Sequence, residues 1–214
     1  MKKTIRSFVL LVVMLAAGIS SSSAGDFEGV IEFVKMTTTD TSNYVYYVKG
    51  DKIRIENTVK GEVKGVMLVD LKEKTLLALS PDRKLYMDVN NSPIDPGTKS
   101  DYEVIKTGNK KSIHGYECEQ VRVRNKAKNT EVTYWLAPGE FGFFLNLVTT
   151  VNRKENAMVY YLVLDGVEAS FPFLSVEYSL LREERTRMEV TKITKQAVGD
   201  DKFKVPEGYV KFEK

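Results

Sequence analysis

The sequence predicts a mainly β fold of the α+β class: antiparallel strands accompanied by one or two short helices. Three observations predict it. Six short β-rich runs follow one another at roughly ten-residue spacing between residues 27 and 89, too close together for the crossovers that parallel strands need. A β-rich run over residues 113–124 and a second over residues 131–136 flank the polar loop 125–129 and read as a hairpin. Beyond that hairpin, Phe141, Phe144, Leu145 and Val148 fall at i, i+3, i+4 and i+7, the spacing of one helix face.

The chain opens with Lys2, Lys3 and Arg6, an apolar run over residues 8–18, and the small residues Ser22-Ser23-Ala24. This is the pattern of a secretory signal peptide over residues 1–24, and the run is shorter than the ~20 residues that span a bilayer. One domain is expected over residues 25–214, exported to the periplasm or released outside. Without its leader the chain loses three of 32 basic residues and balances its 29 acidic ones. A neutral surface argues against a nucleic-acid partner. A single cysteine excludes an intrachain disulfide framework, so stability is expected from the sheet and its core.

Along the chain, residues 27–36 read as the first strand, and residues 43–48 and 52–56 as a hairpin across Gly50-Asp51, with Ile53 and Ile55 facing in. Strands at 66–70, 75–79 and 84–89 follow, the last two joined by the Ser80-Pro81-Asp82-Arg83 turn. Residues 90–101, with two prolines and a glycine, form a loop between two halves. Residues 103–107 lead into the central hairpin. Its first run changes phase, from Tyr116 and Cys118 to Val121 and Val123, which predicts a bulge or a bend. Residues 152–164 fit a helix slightly better than a buried strand, with Gly166 as terminator. Residues 174–180 and 186–194 close the sheet, and residues 203–209 form an extended aromatic tail.

The only His, Cys and Trp all lie in the central stretch. A Cys–His nucleophile is disfavoured, because four positions along a strand span roughly 13 Å. Cys118 is expected to be buried and His114 to be a turn residue. No motif signals catalysis, a metal site or a cofactor. The feature with functional potential is the aromatic and Met content. Tyr46, Met87, Tyr134, Trp135, Phe141, Phe144 and Tyr160 are candidates to line an apolar cavity in an incompletely filled half-barrel. Simple core packing is the competing account of each.

Lys111-Ser112-Ile113-His114-Gly115-Tyr116-Glu117-Cys118 resembles the "K-x-I-x-G-Y-x-C" signature of a bacterial domain family of unknown function, DUF4412. Residues 132–137 resemble the strand ending in Trp that follows it, and Gly29, the 48–52 hairpin and Phe203-x-Val205-Pro206-x-Gly208-Tyr209 fit as well. Gly115, Tyr116 and Cys118 then form a structural motif, in which Gly115 is expected to take a conformation that a side chain would forbid. That family is distantly similar to the periplasmic lipoprotein carriers and their receptors. The resemblance implies an incomplete antiparallel β-barrel wrapped over helices, with an apolar cavity for acyl chains. It implies a non-enzymatic envelope protein whose partner is a lipid or an acylated lipoprotein. The alternative is a structural or protein-interaction module with a filled core and an envelope protein as partner.

Overall fold

The computed structural model describes residues 26–90, 92 and 94–213; the expected signal peptide lies outside them. Six strands come first: β1 (Gly29–Thr37), β2 (Thr41–Lys49), β3 (Lys52–Val59), β4 (Glu62–Asp70), β5 (Thr75–Ser80) and β6 (Leu85–Asp88). Each pairs antiparallel with the next, as the short spacings require. A second meander contains β7 (Glu103–Ile113), β8 (Tyr116–Asn125), β9 (Thr130–Pro138), β10 (Ser170–Ser179) and β11 (Glu184–Lys195). β11 pairs antiparallel with β1, so the two meanders fuse into one open sheet. A short β12 (Val210–Lys211) adds to the β6 edge in parallel.

The helical interlude falls between β9 and β10. α1 (Phe143–Val151) is followed by the short α2 (Asn156–Val159), which runs into a 3₁₀ turn over Tyr160–Val163. Asn152, in the left-handed conformation at φ 56° and ψ 49°, ends α1. Residues 156–163 are thus helical rather than a strand, but Gly166 does not terminate them. Leu164 has already turned extended.

α1 touches both β10 and β5, which lie six strand spacings apart in the sheet. On a flat sheet that is ~29 Å, whereas a nine-residue helix is only ~13.5 Å long. The sheet therefore curls around the helices as an incomplete barrel. Its inner face carries Ile31, Phe33, Tyr46, Val48, Ile53, Val69, Val132 and Tyr134, packed in one core with Phe144, Leu147 and Tyr161. The outer face of β4 and β5 has a smaller cluster, Val66, Leu68 and Leu79, covered by Val205 and Tyr209 of the C-terminal tail.

Two local expectations are revised. Residues 113–124 are not one strand, because His114 (φ 51°) and Gly115 (φ 81°) form a two-residue turn between β7 and β8. Two successive positive φ values give the type I′ hairpin geometry that matches strand twist. The register shift lies in β7, between Lys106 and Lys110, rather than inside β8. In β10 the polar alternation faces inward: Ser175 pairs opposite the core residue Tyr134, and Glu177 accepts a hydrogen bond from Asn156 Nδ2 of α2 at 2.9 Å. Leu174 and Val176 are buried on the other face.

Candidate apolar site between the helices and the sheet

The helical segment is tied to the sheet by tyrosines. Tyr134 of β9 donates its hydroxyl to the Ala157 carbonyl at 2.7 Å. Tyr160 and Thr130 join their hydroxyls. Tyr161 donates to the Val167 and Ser170 carbonyls, at 3.0 and 2.9 Å. A buried hydroxyl left without such a partner would carry its full desolvation cost. Burial raises the Tyr134 and Tyr161 phenols well above their ordinary value, so both stay neutral donors.

Between α1–α2 and strands β1–β3 and β11 the packing is incomplete. Two small cavities, of about 40 and 20 Å³, lie side by side. Phe33, Tyr46, Phe144, Met158 and Met188 border both and form the partition between them. Tyr44, Ile55, Leu147, Val148 and Val151 complete the larger one, with Lys35, Arg153 and Glu155 at its polar side. Lys35 Nζ lies 2.6 Å from Glu155 Oε1, linking the sheet to the start of α2. A cavity of ~150 Å³ holds benzene, so the slot is too narrow for an acyl chain as it stands. Two of its five partition residues are methionines, unbranched side chains that repack readily.

Tyr46 differs from the other buried tyrosines. It is 6% exposed, its ring sits edge-on to Phe33 with centroids 4.7 Å apart, and its hydroxyl makes no hydrogen bond among the described residues. Burial raises its phenol, and the neighbouring Arg153 charge opposes that rise. Arg153 is exposed and forms no ion pair among the described residues.

Of the seven residues expected to line a cavity, Tyr46 and Phe144 border this slot, and Met87 borders two hollows at the β6 edge. Tyr134, Phe141 and Tyr160 are fully buried in the solid part of the core. Trp135 alternates onto the outer face, where Lys111 Nζ lies 4.2 Å above its ring. Met87 is at the β6 edge beside Phe212. The Gly115-Tyr116-Cys118 motif packs the hairpin tip onto the core. The Tyr116 ring lies 4.8 Å from Phe173, and its hydroxyl donates to Glu140 Oε1 at 3.2 Å. Cys118 is buried, which pushes its thiol up to about 11. His114 Nε2 is engaged with the Val190 carbonyl at 2.8 Å instead of Cys118. Among the described residues no group of three His, Cys, Asp or Glu side chains is placed to hold a metal.

Sequence reasoning missed Lys35, Arg153, Glu155, Met158 and Met188. Met188 and Lys35 follow their strands' inward alternation, a usable signal. Arg153 and Glu155 lie in the break between two helices, where no periodicity marks them.

A family model described as Domain of unknown function (DUF4412) matches residues 27–209. The chain belongs to this family. Its DUF4412 fold is similar to that in the complex structure of Pseudomonas aeruginosa MucA/MucB, at 13% identity and TM-score 0.50, over 85% of this chain and 56% of that one. PNGF-II is similar at 13% identity and TM-score 0.46, over 86% of this chain and 30% of that one. A third structure is described as an outer membrane lipoprotein-sorting protein domain from Vibrio parahaemolyticus. It is similar at 10% identity and TM-score 0.32, over 85% of this chain and 90% of that one. The DUF4412 chain thus spans under a third of PNGF-II and just over half of the MucA/MucB chain it matches. A search of curated proteins finds no match. Among the described residues no helix is long and apolar enough to cross a membrane.

Proposed function

We propose that this is an exported, non-enzymatic protein of the bacterial envelope, built as one half-barrel domain, that admits an apolar chain between its helices and its sheet. The observation that carries this reading is the slot itself: apolar walls, a methionine partition, and a bordering Tyr46 whose hydroxyl makes no hydrogen bond among the described residues. Opening requires α1–α2 to move from the sheet, and Lys35–Glu155 is the ion pair that would part. The leader-like residues 1–24 and the family's resemblance to lipoprotein carriers support an envelope location and a lipid or acylated partner.

The small volume of the slot favours a second reading, a protein-interaction module with an effectively filled core. The MucA/MucB complex supports it as a case of this fold in a protein assembly. Uptake of N-phenyl-1-naphthylamine separates the two. Under the slot reading the full chain enhances the probe's fluorescence saturably, and Val148→Phe, which fills the slot from α1, loses that enhancement while keeping its thermal unfolding within a few degrees. No enhancement in either protein favours the interaction module.

A further inference from the structure

The polar side of the slot specifies more than a greasy chain. Three charged side chains border the larger cavity, and two of them neutralise each other, because Lys35 lies 2.6 Å from Glu155; Glu189, beside the smaller cavity, faces Arg187 at 3.7 Å. Arg153 is left with its guanidinium unpaired among the described residues, giving a net charge of +1 around the larger cavity. Beside it, the Tyr46 side chain is more than nine-tenths buried and borders the cavity, and its hydroxyl has no hydrogen-bond partner among the described residues. A guanidinium offers five N–H donors in a fork that matches a carboxylate, and a neutral phenol offers one more donor. Both can donate, and the guanidinium cannot accept. The complement is an oxygen anion attached to an apolar tail.

We propose that the slot takes a single-chain fatty acid, with its carboxylate held by Arg153 and the Tyr46 hydroxyl and its tail displacing the Met158–Met188 partition. The inference rests on the apolar-chain reading above and adds the head group. One positive charge matches a monoanionic carboxylate. A cationic head meets Arg153 with like charge, and a neutral alcohol gains nothing from it.

Calorimetric titration of the full mature chain with laurate, dodecanol and dodecyltrimethylammonium, each below its micelle concentration, tests this. The three share a twelve-carbon tail and differ in the head. Laurate is expected to bind about tenfold tighter than dodecanol, the equivalent of one charge-assisted hydrogen bond, with the ammonium weakest. Arg153→Gln, a change at an exposed position, should bring laurate to the level of dodecanol. Tyr46→Phe should weaken laurate a few-fold and leave dodecanol unchanged. Equal binding of laurate and dodecanol, insensitive to Arg153→Gln, overturns the head-group inference while leaving the apolar chain standing, and so does tightest binding of the ammonium. If none of the three binds, both fall together.

Discussion

Glu131 lies on the outer face of β9 with a side chain 2% exposed, and three guanidiniums converge on it. Arg122 donates through Nε and Nη2 at 2.9 and 2.7 Å, Arg124 through Nε and Nη2 at 3.2 and 3.0 Å, and Arg182 through Nη1 at 2.6 Å. Burial pushes its carboxyl up, but the hydrogen bonds from Arg122, Arg124 and Arg182 win and hold it below the ordinary glutamate value. A depressed carboxyl stabilises the fold above its unfolded value of ~4.3, and that contribution is lost as pH falls through the lower folded value. Glu131→Gln should therefore cost about 2–3 kcal/mol at pH 7, the arginines being partly solvated. The gap from the parent protein should close on acidification below about pH 4. Urea melts across that range check this; a gap that widens in acid contradicts it. Two glycines invite a paired comparison. Gly115 needs its positive φ but has open space around it, so Gly115→Ala should cost about 1 kcal/mol. At Gly29 a Cβ would meet the Thr194 carbonyl oxygen at 2.1 Å and the Phe27 ring at 2.9 Å. Gly29→Ala should therefore lower the unfolding temperature more than Gly115→Ala, and the reverse order would refute the account. Gly115, expected to take a conformation that a side chain would forbid, has φ 81° in open space, whereas Gly29 makes the tighter contact. Cys118, with its thiol at about 11, should resist alkylation at pH 8 until denaturant unfolds the chain.

Among the elements, the C-terminal tail does work that its length conceals. Val205 and Tyr209 cover Val66, Leu68 and Leu79, Lys211 Nζ pairs with Asp88 at 2.5 Å, and the Val210 amide donates to the Lys84 carbonyl at 2.9 Å. The tail thus shields an apolar outer patch and the edge of β6, surfaces that otherwise promote association. A chain ending at Val198 should sediment as larger species than the full chain; identical sedimentation would show the tail to be dispensable. The period-two alternation made the strands legible, and Ile53 and Ile55 face inward as read. Alternation leaves the orientation of β10 open, because a strand with both faces buried does not announce which face meets the helices. Its serines face inward, and nothing local to residues 170–179 records that. The α1 stripe was legible at Phe144 and Val148, but Phe141 precedes the helix and Leu145 is half-buried, with Phe143, Leu147 and Val151 completing the buried face. The break at Asn152 was not legible, because it depends on one residue taking a left-handed conformation.

At the scale of the whole molecule, two meanders meet at β1 and β11, and this one long-range pairing makes a single curled sheet. Local patterns carried the strands and the helix; the resemblance carried the curl, since no spacing in the sequence says that residue 29 will pair with residue 195. The site was the least legible part. Most of the aromatic residues are solid core, and the slot is bordered instead by residues from β1, β11 and the helical break that only folding assembles. Their charge balance follows from one ion pair, Lys35–Glu155, across 120 positions of sequence. The central claim is that this slot opens to hold an apolar chain. Native mass spectrometry with solvent extraction, on protein purified from its own envelope, tests it most directly. The account predicts a co-purifying lipid or acylated molecule at near-stoichiometric level, displaced in the Val148→Phe variant. A bare mass under gentle conditions, with the fold intact, would contradict it and leave the filled interaction module.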